Sequence, residues 1–404
     1  MPRILALAAL FIIGLGSVRA QDDGFKPLFN GKDLAGWHNV NCAPGTFYVK
    51  DDMVITTGKP TGYLRTDRHY ENFIAEFDWM HIPNKPGDVG NSGFFVWADP
   101  IPAVGTGYTR GIEVQVLVNL EWKDKKTGGS TATSHGDLFS IWGAKCVPDR
   151  PHPLGWERSI PSENRAKGEG EWNHYRVEAN DGVIKLAVNG KVVSGVSKCT
   201  PRKGYLALES EGSECRFKNL KIKELPTTNP KKEEICDVAQ GHRPMFTGLD
   251  LSGWKTDRDA KKHWQPRDTV LHYDGKGQAK DNGLRTEKVY GDVEYIVDFR
   301  FPTGTKEACA FYLREGKDVK LTVTPTGGVE LLSRGAVSGI RDANLNPAGS
   351  WNRLLITVKR DALRVAVNGN GVGGVAGEMP ANGKLSLHPG GAMDFANLFV
   401  RELK

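Results

Sequence analysis

The sequence has no long hydrophobic run after its first twenty residues. No later segment approaches the roughly 20 consecutive apolar residues that a membrane-spanning helix needs, so no membrane insertion is expected. A basic stripe with interleaved aromatic residues is also absent, although the formal net charge is +6, and nucleic acid is therefore not expected as a partner. Neither a Cys-x-x-Cys pair nor a Cys/His spacing typical of zinc is present, which excludes the common structural zinc motifs.

The amino terminus has the layout of a cleavable secretory signal. Arg3 precedes an apolar stretch at 4–16, and Ala20 is a small residue of the kind found before a cleavage point. We therefore expect residues 1–20 to be removed near Ala20 and the mature protein to be secreted or periplasmic.

Six cysteines in an exported chain permit disulfide bonds. Cys199 and Cys215 both lie in the first of two repeated units, at 25–225, and flank one short predicted strand at 205–209. We predict a bridge between these two residues.

The chain contains two copies of one unit. The first copy occupies 25–225, a linker rich in Pro, Thr, Asn, Lys and Glu covers 226–241, and the second copy occupies 242–404. Each copy is long enough to form a hydrophobic core of its own. The matching segments are 27–37 with 244–254, 64–66 with 284–286, 172–173 with 351–352, 187–190 with 366–369, and 221–225 with 399–403.

The first copy is longer than the second. The interval between its anchoring tryptophans, Trp37 and Trp172, is 135 positions, against 97 between Trp254 and Trp351, which is an excess of 38. Most of the excess falls between 119 and 165, and loops of this length are commonly functional. We predict that this insertion forms a lid over the mouth of the first copy's sheet.

Short runs of alternating apolar and polar residues, separated by Gly, Asn and Asp, dominate both copies. A sustained amphipathic helical period is absent. Many evenly spaced antiparallel strands with few helices indicate an all-β fold, in which each copy forms a β-sandwich of the jelly-roll type.

The run at 111–119 predicts a strand with two unlike faces. Side chains alternate across a strand, so Glu113, Gln115 and Asn119 share one face with Leu117, while three valines point to the other. The valine face indicates the core, and the polar face indicates the floor of a cleft.

Aligning the two copies separates framework residues from candidate site residues. Glu113 is replaced by Lys320 and Gln115 by Thr322, whereas Arg65 is kept. Residues lost only from the second copy are candidates for a function that only the first copy performs. The further replacements are Glu76 by Ile296, Asn91 by Ala308, Glu209 by His388, and Glu211 by Gly390.

Characteristic motifs of the first copy lie at 28–37, 64–73, 91–95, 111–117, and 170–173 leading to 188–190. Together these motifs resemble the 3-keto-disaccharide hydrolase domain family. The resemblance implies a concanavalin A-like jelly roll and a carbohydrate substrate whose sugar ring carries a ketone at C3. The second copy matches through its framework segments and lacks the Asn-Ser-Gly and Glu-x-Gln elements, so no independent activity is expected there.

The resemblance implies chemistry that uses the acidity of the C2 proton beside the C3 ketone. A base removes that proton, the resulting enolate expels the glycosidic oxygen from C1, and water then adds back. We assign Glu113 as the base. Arg65, Gln115 and Asn91 are the candidate donors to the enolate oxygen, and His135 in the insertion is the candidate acid.

Other assignments within the first copy stay open. Glu113 paired with Glu76 or Glu209 fits a conventional two-carboxylate glycosidase. Glu209 and Glu211 either line the same sheet as Glu113 or face water. Asn119 stands where members of the family often have Asp, so we expect it to bind substrate rather than to transfer a proton.

Two broader alternatives also follow from the sequence. A jelly roll serves equally well as a non-catalytic carbohydrate-binding module, and the fold by itself does not decide between binding and catalysis. The second copy is expected to be a binding or structural unit. A divalent cation would suit an enolate mechanism, yet no compact acidic calcium loop is visible, so the cofactor is either none or a divalent cation.

Overall fold

The computed structural model of the protein describes residues 23–86, 90–118, 136–153, 155–256, 258–277, 283–314, 319–333 and 336–404. The predicted signal at 1–20 lies outside these ranges. Within them the chain is built almost entirely of strands, with one short helix, α1 (Arg258–Lys261), and one 3-10 turn (Lys232–Glu234). No helix in the described part of the chain is long and apolar enough to span a bilayer.

The strands of the first half alternate buried and more exposed residues, as the period of two in their sequences predicts. They are β1 (Lys26–Pro27), β2 (Trp37–Asn39), β3 (Phe47–Lys50), β4 (Met53–Thr56), β5 (Gly62–Thr66), β6 (Phe73–Ile82), β7 (Gly90–Ala98), β8 (Gly111–Val118), β9 (Leu138–Ile141), β10 (Lys145–Pro148), β11 (Arg158–Ser159), β12 (Asn173–Asn180), β13 (Val183–Val188), β14 (Lys191–Thr200), β15 (Tyr205–Ser210) and β16 (Glu214–Glu224).

The second half has the same character, with buried residues at alternate positions of its longer strands. Its strands are β17 (Arg243–Pro244), β18 (Trp254–Lys255), β19 (Trp264–Arg267), β20 (Val270–Tyr273), β21 (Leu284–Thr286), β22 (Val293–Arg300), β23 (Cys309–Tyr312), β24 (Lys320–Val323), β25 (Gly328–Ser333), β26 (Ala336–Val337), β27 (Arg341–Asp342), β28 (Asn352–Lys359), β29 (Ala362–Val367), β30 (Asn370–Ala376), β31 (Ser386–Pro389) and β32 (Met393–Glu402).

Each half is a sandwich of two antiparallel sheets. In the first half, sheet A has the order β10-β14-β13-β12-β6-β16-β4-β3, with β1 also paired to β16, and sheet B has the order β11-β9-β8-β7-β15-β5-β2. In the second half, sheet C has the order β19-β20-β32-β22-β28-β29-β30, with β17 paired to β32, and sheet D has the order β18-β21-β31-β23-β24-β25-β26, with β27 paired to β25. The prediction of two tandem jelly-roll sandwiches is confirmed.

Each sandwich encloses its own apolar core. In the first half, Trp79 of sheet A and Phe94 of sheet B belong to one buried cluster. In the second half, Phe299 of sheet C and Phe311 of sheet D belong to another. The two sheets of each half pack together because one face of every sheet is apolar and loses contact with water on packing.

A third apolar cluster joins the two halves. Tyr63, Phe95 and Tyr205 lie on the face of sheet B that points away from the first core, and they share this cluster with Ile296 and Phe399 of sheet C. Tyr63 and Phe95 also meet edge to face, with ring centroids 5.9 Å apart. The second sandwich therefore covers part of the sheet B face that carries the polar row of β8.

The predicted bridge between Cys199 and Cys215 is wrong. Cys199 lies on β14 and Cys215 on β16, and β13, β12 and β6 separate these strands in sheet A. Four strand spacings correspond to about 19 Å, which is far beyond the Cα separation that a disulfide allows. Both residues are buried free thiols. The strand they flank in the sequence, β15, belongs to the other sheet.

The described part of the long insertion adds strands to the edges of both sheets. Strands β9 and β11 are added to one edge of sheet B, and β10 is added to the edge of sheet A. Residues 119–135 lie outside the described ranges. The edge extension brings Arg158 to the polar row of β8, and the lid over the mouth of the sheet stays a prediction.

Candidate functional site

The polar row of β8 lies where the alternation of its sequence predicts. Val114 and Val116 are fully buried in the first core. Glu113 and Gln115 point to the opposite face of sheet B, where they keep only 5% and 4% of their exposure. A carboxyl group this deeply buried needs a specific environment, because an ionised carboxylate without partners is costly in a low dielectric.

Gly93 on β7 lies between two carboxyl groups and lets them approach each other. Strand β7 lies between β8 and β15 in sheet B, so a side chain at this position would stand between Glu113 and Glu209. A Cβ atom on Gly93 would lie 3.0 Å from Oε1 of Glu113 and 2.9 Å from Oε2 of Glu209. The missing side chain leaves the space in which the two carboxyl groups approach each other.

Glu209 is the carboxyl group of this site that is best placed to hold a proton. Its side chain has no exposed surface, and neither of its oxygens has a hydrogen-bond donor among the residues that the structure describes. Burial, and then the negative charge of Glu113, raise the pKa of Glu209 well above its usual range. Once protonated, Glu209 can donate to Glu211, its neighbour within hydrogen-bond range.

Glu211 receives the donors that Glu209 lacks. The phenol of Tyr108 donates to Oε1 of Glu211 at 2.7 Å, and the amide of Asn91 donates to Oε2. Asn91 accepts a bond from Nε2 of Gln115 at 2.7 Å, and Gln115 accepts one from Arg158 at 3.4 Å. Burial raises the pKa of Glu211, but these bonds oppose the shift, so Glu211 is the group best placed to keep its charge.

Glu113 has a raised pKa and one cation nearby. Burial, and then the charge of Glu211, raise the pKa of Glu113 well above its usual range, while the guanidinium of Arg158 opposes that shift. Arg158 is itself held by Asp137, whose Oδ2 lies 3.4 Å from Nε, and it stacks over the ring of Phe139 at 4.0 Å. A buried carboxyl group with a raised pKa is a candidate general base.

Glu76 does not belong to this site. It lies on β6 in sheet A, on the face that points to solvent, and its pairing partners on neighbouring strands are Arg176 and Lys221. Its oxygens bind those two side chains at 2.6 and 3.0 Å. Alternation along the strand predicted a polar face correctly, but it did not tell which of the two sheets β6 would join. A Glu113–Glu76 catalytic pair is therefore removed from the candidates.

Arg65 is also separated from Glu113. The two residues stand in one row of sheet B, but the row passes through Ala207 and Phe95, and three strand spacings amount to about 14 Å. The guanidinium donates to the carbonyl oxygens of Pro100 and Thr66 at 3.2 and 2.8 Å. It also lines a cavity of 960 Å³ between the two halves. Its place is therefore the junction between the two halves, whereas its counterpart Arg285 is exposed.

Two predicted site residues, His135 and Asn119, lie outside the described ranges, so their assignments stay predictions. In the part of the chain that is described, no group of three or more His, Cys, Asp and Glu side chains has an arrangement suited to a metal ion. The site is therefore built, as far as these residues go, from carboxyl groups, amides, one phenol and one guanidinium.

Two contributors to the site were not predicted, Tyr108 and Arg158. Tyr108 lies in the connection at 99–110 between β7 and β8, whereas the equivalent connection in the second half covers only 313–319. Arg158 lies in the long insertion. Both residues therefore have no counterpart in the second copy, and comparing the copies position by position passes over them. Their presence in segments that only the first copy has was the available signal.

The family model of the 3-keto-alpha-glucoside-1,2-lyase-like domain matches residues 24–223 and, separately, residues 241–401. The chain belongs to this family. The resemblance read from the sequence motifs is thereby confirmed, and it places the chain among carbohydrate-active proteins. Comparison with curated proteins gives no match.

Several solved structures are similar to parts of this lyase-like chain. A protein of Parabacteroides distasonis ATCC 8503 named as a glycosyl hydrolase is 23% identical, with a TM-score of 0.40, over 50% of this chain and 94% of that one. The carbohydrate-binding module CBM66 of Bacillus subtilis is 16% identical, with a TM-score of 0.30, over 37% and 96%. The β-glucanase of Bacillus licheniformis is 12% identical, with a TM-score of 0.31, over 38% and 94%. Membership of the lyase-like family rests on the family model.

The second lyase-like domain has none of the carboxyl groups that form the site in the first. Thr322 pairs with Ala310 where Gln115 pairs with Gly93, and the next strand carries His388 beside Ala310. Ala310 fills the space that Gly93 leaves open. The equivalent surface of sheet D therefore has neither the acids nor the gap between them.

Two exposed tryptophans of the first lyase-like domain offer flat faces to a ligand. Trp142 is 52% exposed and lies parallel to the ring of Tyr108, with centroids 6.3 Å apart. Trp156 is 38% exposed and stacks on His152 at 4.4 Å. Aromatic faces that keep one side open to water are suited to packing against the apolar face of a sugar ring.

Proposed function

We propose that the first domain cleaves glycosides whose sugar ring carries a ketone at C3, by elimination across C1 and C2. Glu113 is the base that removes the C2 proton. The observation that carries this proposal is the position of Glu113, a buried carboxyl group with a raised pKa that stands across Gly93 from the fully buried Glu209. The same face of the second domain has neither acid.

The reaction has two stages, an elimination across C1 and C2 and an addition of water. Glu113 takes the C2 proton, and the electrons of the C2–H bond form an enolate with the C3 carbonyl. The enolate returns its electrons to form a C1=C2 double bond, and the bond from C1 to the glycosidic oxygen breaks. That oxygen takes a proton from the Glu209–Glu211 pair. Water then adds across the double bond: its oxygen binds C1 and its proton goes to the Glu209–Glu211 pair, while Glu113 returns its proton to C2. The C3 ketone is kept throughout.

The neighbouring side chains fit the other needs of an enolate mechanism. An enolate oxygen is stabilised by donors that are already in place when its charge develops. Tyr108, Asn91 and Gln115 are held in a fixed chain of hydrogen bonds beside the acids, and Arg158 supplies a positive charge near Glu113. The parallel rings of Tyr108 and Trp142 offer a stacking surface for the sugar.

Removal of the signal at 1–20 and a secreted or periplasmic location are part of this proposal, since the substrate would then be a glycoside outside the cytoplasm. The second domain is proposed to be non-catalytic.

The deciding experiment compares a 3-keto disaccharide with the same disaccharide before oxidation. We expect turnover of the oxidised sugar only, together with incorporation of deuterium from heavy water at C2 of recovered substrate or product. Turnover of the unoxidised sugar, without exchange at C2, would instead support direct displacement at C1.

Conventional hydrolysis by two carboxyl groups is the second candidate. Retaining glycosidases hold their two carboxyl groups about 5 to 5.5 Å apart, and the approach of Glu113 and Glu209 on either side of Gly93 suits a separation in that range. This alternative makes Glu209 the partner of Glu113 in place of Glu76.

A further inference from the structure

The connection between β7 and β8 brings Tyr108 to the acids, and the second half of the chain holds the tip of that connection. We name residues 99–110 the Tyr108 loop. Its base is anchored in the first half, where Arg110 binds Asp99 at 2.8 Å and Asn41 donates to the carbonyl oxygen of Gly107 at 3.0 Å. Its tip, at 102–106, reaches the outward face of sheet C.

Three side chains of sheet C bind the tip of the Tyr108 loop. Arg353 donates to the carbonyl oxygen of Pro102 at 2.8 Å. Asp298 accepts a bond from the backbone N–H of Gly105 at 2.8 Å. Asn397 shares its two N–H groups among the carbonyl oxygens of Ala103 and Thr106, both at 3.0 Å, and Asp298 itself. We name Asp298, Arg353 and Asn397 the sheet C triad.

The bonds from the sheet C triad continue directly to Tyr108. Within the loop, the backbone N–H of Tyr108 donates to Oγ1 of Thr106 at 3.0 Å, and its carbonyl oxygen accepts from Ala103 at 2.9 Å. Thr106 and Ala103 are the two residues whose carbonyl oxygens accept from Asn397. The position of the phenol over Glu211 is therefore linked by two steps to the second half of the chain.

The first half carries the same three positions, and none of its described loops is bound to them. Asp78 there binds His174 at 2.8 Å and Asn219 at 2.6 Å, and these residues are equivalent to the sheet C triad in the alignment of the copies. The side chain of Asp78 is 21% exposed, whereas that of Asp298 has no exposed surface. The Tyr108 loop covers the triad in one copy only, so the first half supplies a matched control for each variant.

We propose that the second half is a positioning clamp for the site of the first half, and that Asn397 and its two partners hold Tyr108 against Glu211. None of the three touches the acids, so they are positioning residues and not catalytic ones. This inference rests on the proposed function only in taking Tyr108 and Glu211 as parts of the working site.

The first test measures amide hydrogen exchange of the full-length protein without substrate. Asn397→Ala should speed exchange across 103–108 by about tenfold, because two carbonyl oxygens of the loop lose their donor. Asn219→Ala, the matched change in the first half, should leave these amides unchanged. Unchanged exchange in Asn397→Ala would overturn the clamp. Because no sugar is needed, this outcome is independent of whether 3-keto-glycosides are cleaved.

The second test asks whether Asn397 acts through Tyr108. The bond from Tyr108 lowers the pKa of Glu211, so Tyr108→Phe and Asn397→Ala should both move the pH profile of turnover to higher pH. The double variant should match Tyr108→Phe alone, because coupled residues have non-additive effects. Losses that add in full would show that Asn397 acts elsewhere and would refute the proposal.

If Asn397→Ala disturbs the fold of the second half, Gly105→Ala tests the same contact from the loop. Gly105 has a φ of +74°, and a Cβ atom there would lie 2.1 Å from Cγ of Trp351. The tip must then move away from sheet C. We expect the same faster exchange and the same shift of the pH profile as for Asn397→Ala. If neither the exchange nor the pH profile changes, the result contradicts the clamp.

Discussion

The two halves of the chain share one fold and differ on opposite faces. On the face of sheet B, the first half has Glu113 and Glu209 on either side of Gly93, and the second half has Lys320 and Ala310 at the matching positions of sheet D. The difference teaches that the site depends on a missing side chain as much as on the acids. A methyl group at the central position would lie within 3.0 Å of an oxygen of each acid.

The outward faces of sheets A and C also differ: the first half has the charged face and the second half the apolar one. In sheet A, Glu76 pairs with Arg176 and Lys221 and faces solvent. In sheet C, Ile296 pairs with Leu355 and with Phe399, and Ile296 and Phe399 are buried against sheet B. The copy without the acids therefore has an apolar docking face, and the copy with the acids has charged residues at the matching positions.

The largest expected effect comes from replacing Glu113, an acid that the second half lacks. Glu113→Gln keeps nearly the same side-chain volume but cannot accept the C2 proton, so turnover of a 3-keto-glycoside should fall by about 10³-fold. Initial rates at saturating substrate, with a melting curve for each variant, give the measurement. Lys320→Ala in the second half should leave turnover unchanged, and a loss there would mean that sheet D takes part in the chemistry.

The docking face can be tested by making the second half resemble the first. Ile296→Glu places an unpaired carboxylate in the buried cluster between the halves, and we expect it to lower the free energy of unfolding by about 3 kcal/mol. The opposite change, Glu76→Ile, lies on a solvated face where ion pairs contribute less than about 1 kcal/mol. Urea unfolding of both variants would compare them. Equal effects would contradict the view that only sheet C docks.

The gap at Gly93 can be closed in the same way. Gly93→Ala reproduces the residue of the second half, and its Cβ atom would lie within 3.0 Å of an oxygen from each acid. Displacing both groups should lower kcat by about 10²-fold with the fold retained. Steady-state kinetics and circular dichroism would show whether this holds. The reciprocal Ala310→Gly should have no effect on kcat.

The smallest effect concerns the stability cost of the buried acid. The folded-state pKa of Glu209 lies well above that of the unfolded chain, so the folded state binds the extra proton and stability falls as pH rises through that interval. Glu209→Gln removes this dependence, and at pH 8 it should stabilise the fold by about 1 kcal/mol. Melting curves of both proteins at pH 4 and pH 8 provide the measurement. An equal change in stability at the two pH values would contradict a cost that depends on the ionisation of Glu209.

The fold and the central row of the site could be predicted from the sequence. Alternation placed Glu113 and Gln115 opposite the core valines, and comparing the copies singled out Glu209 and Glu211. The assignment of Glu76 to the site was wrong for a physical reason. A period of two identifies a face of a strand but not the sheet that the strand joins.

The order of strands in a sheet was the information that the sequence did not contain. Cys199 and Cys215 are close in the sequence, but three strands lie between them in sheet A. Tyr108 was missed because it lies in a loop without a counterpart, and its position depends on contacts with residues nearly 200 or more positions away along the chain, at 298, 353 and 397.

The apolar cluster that joins the halves has a consequence for any truncation of the chain. Removal of the second half would leave Tyr63, Phe95 and Tyr205 open to water. The isolated first half would then carry an exposed apolar patch of the kind that promotes aggregation, regardless of any chemistry in the removed segment.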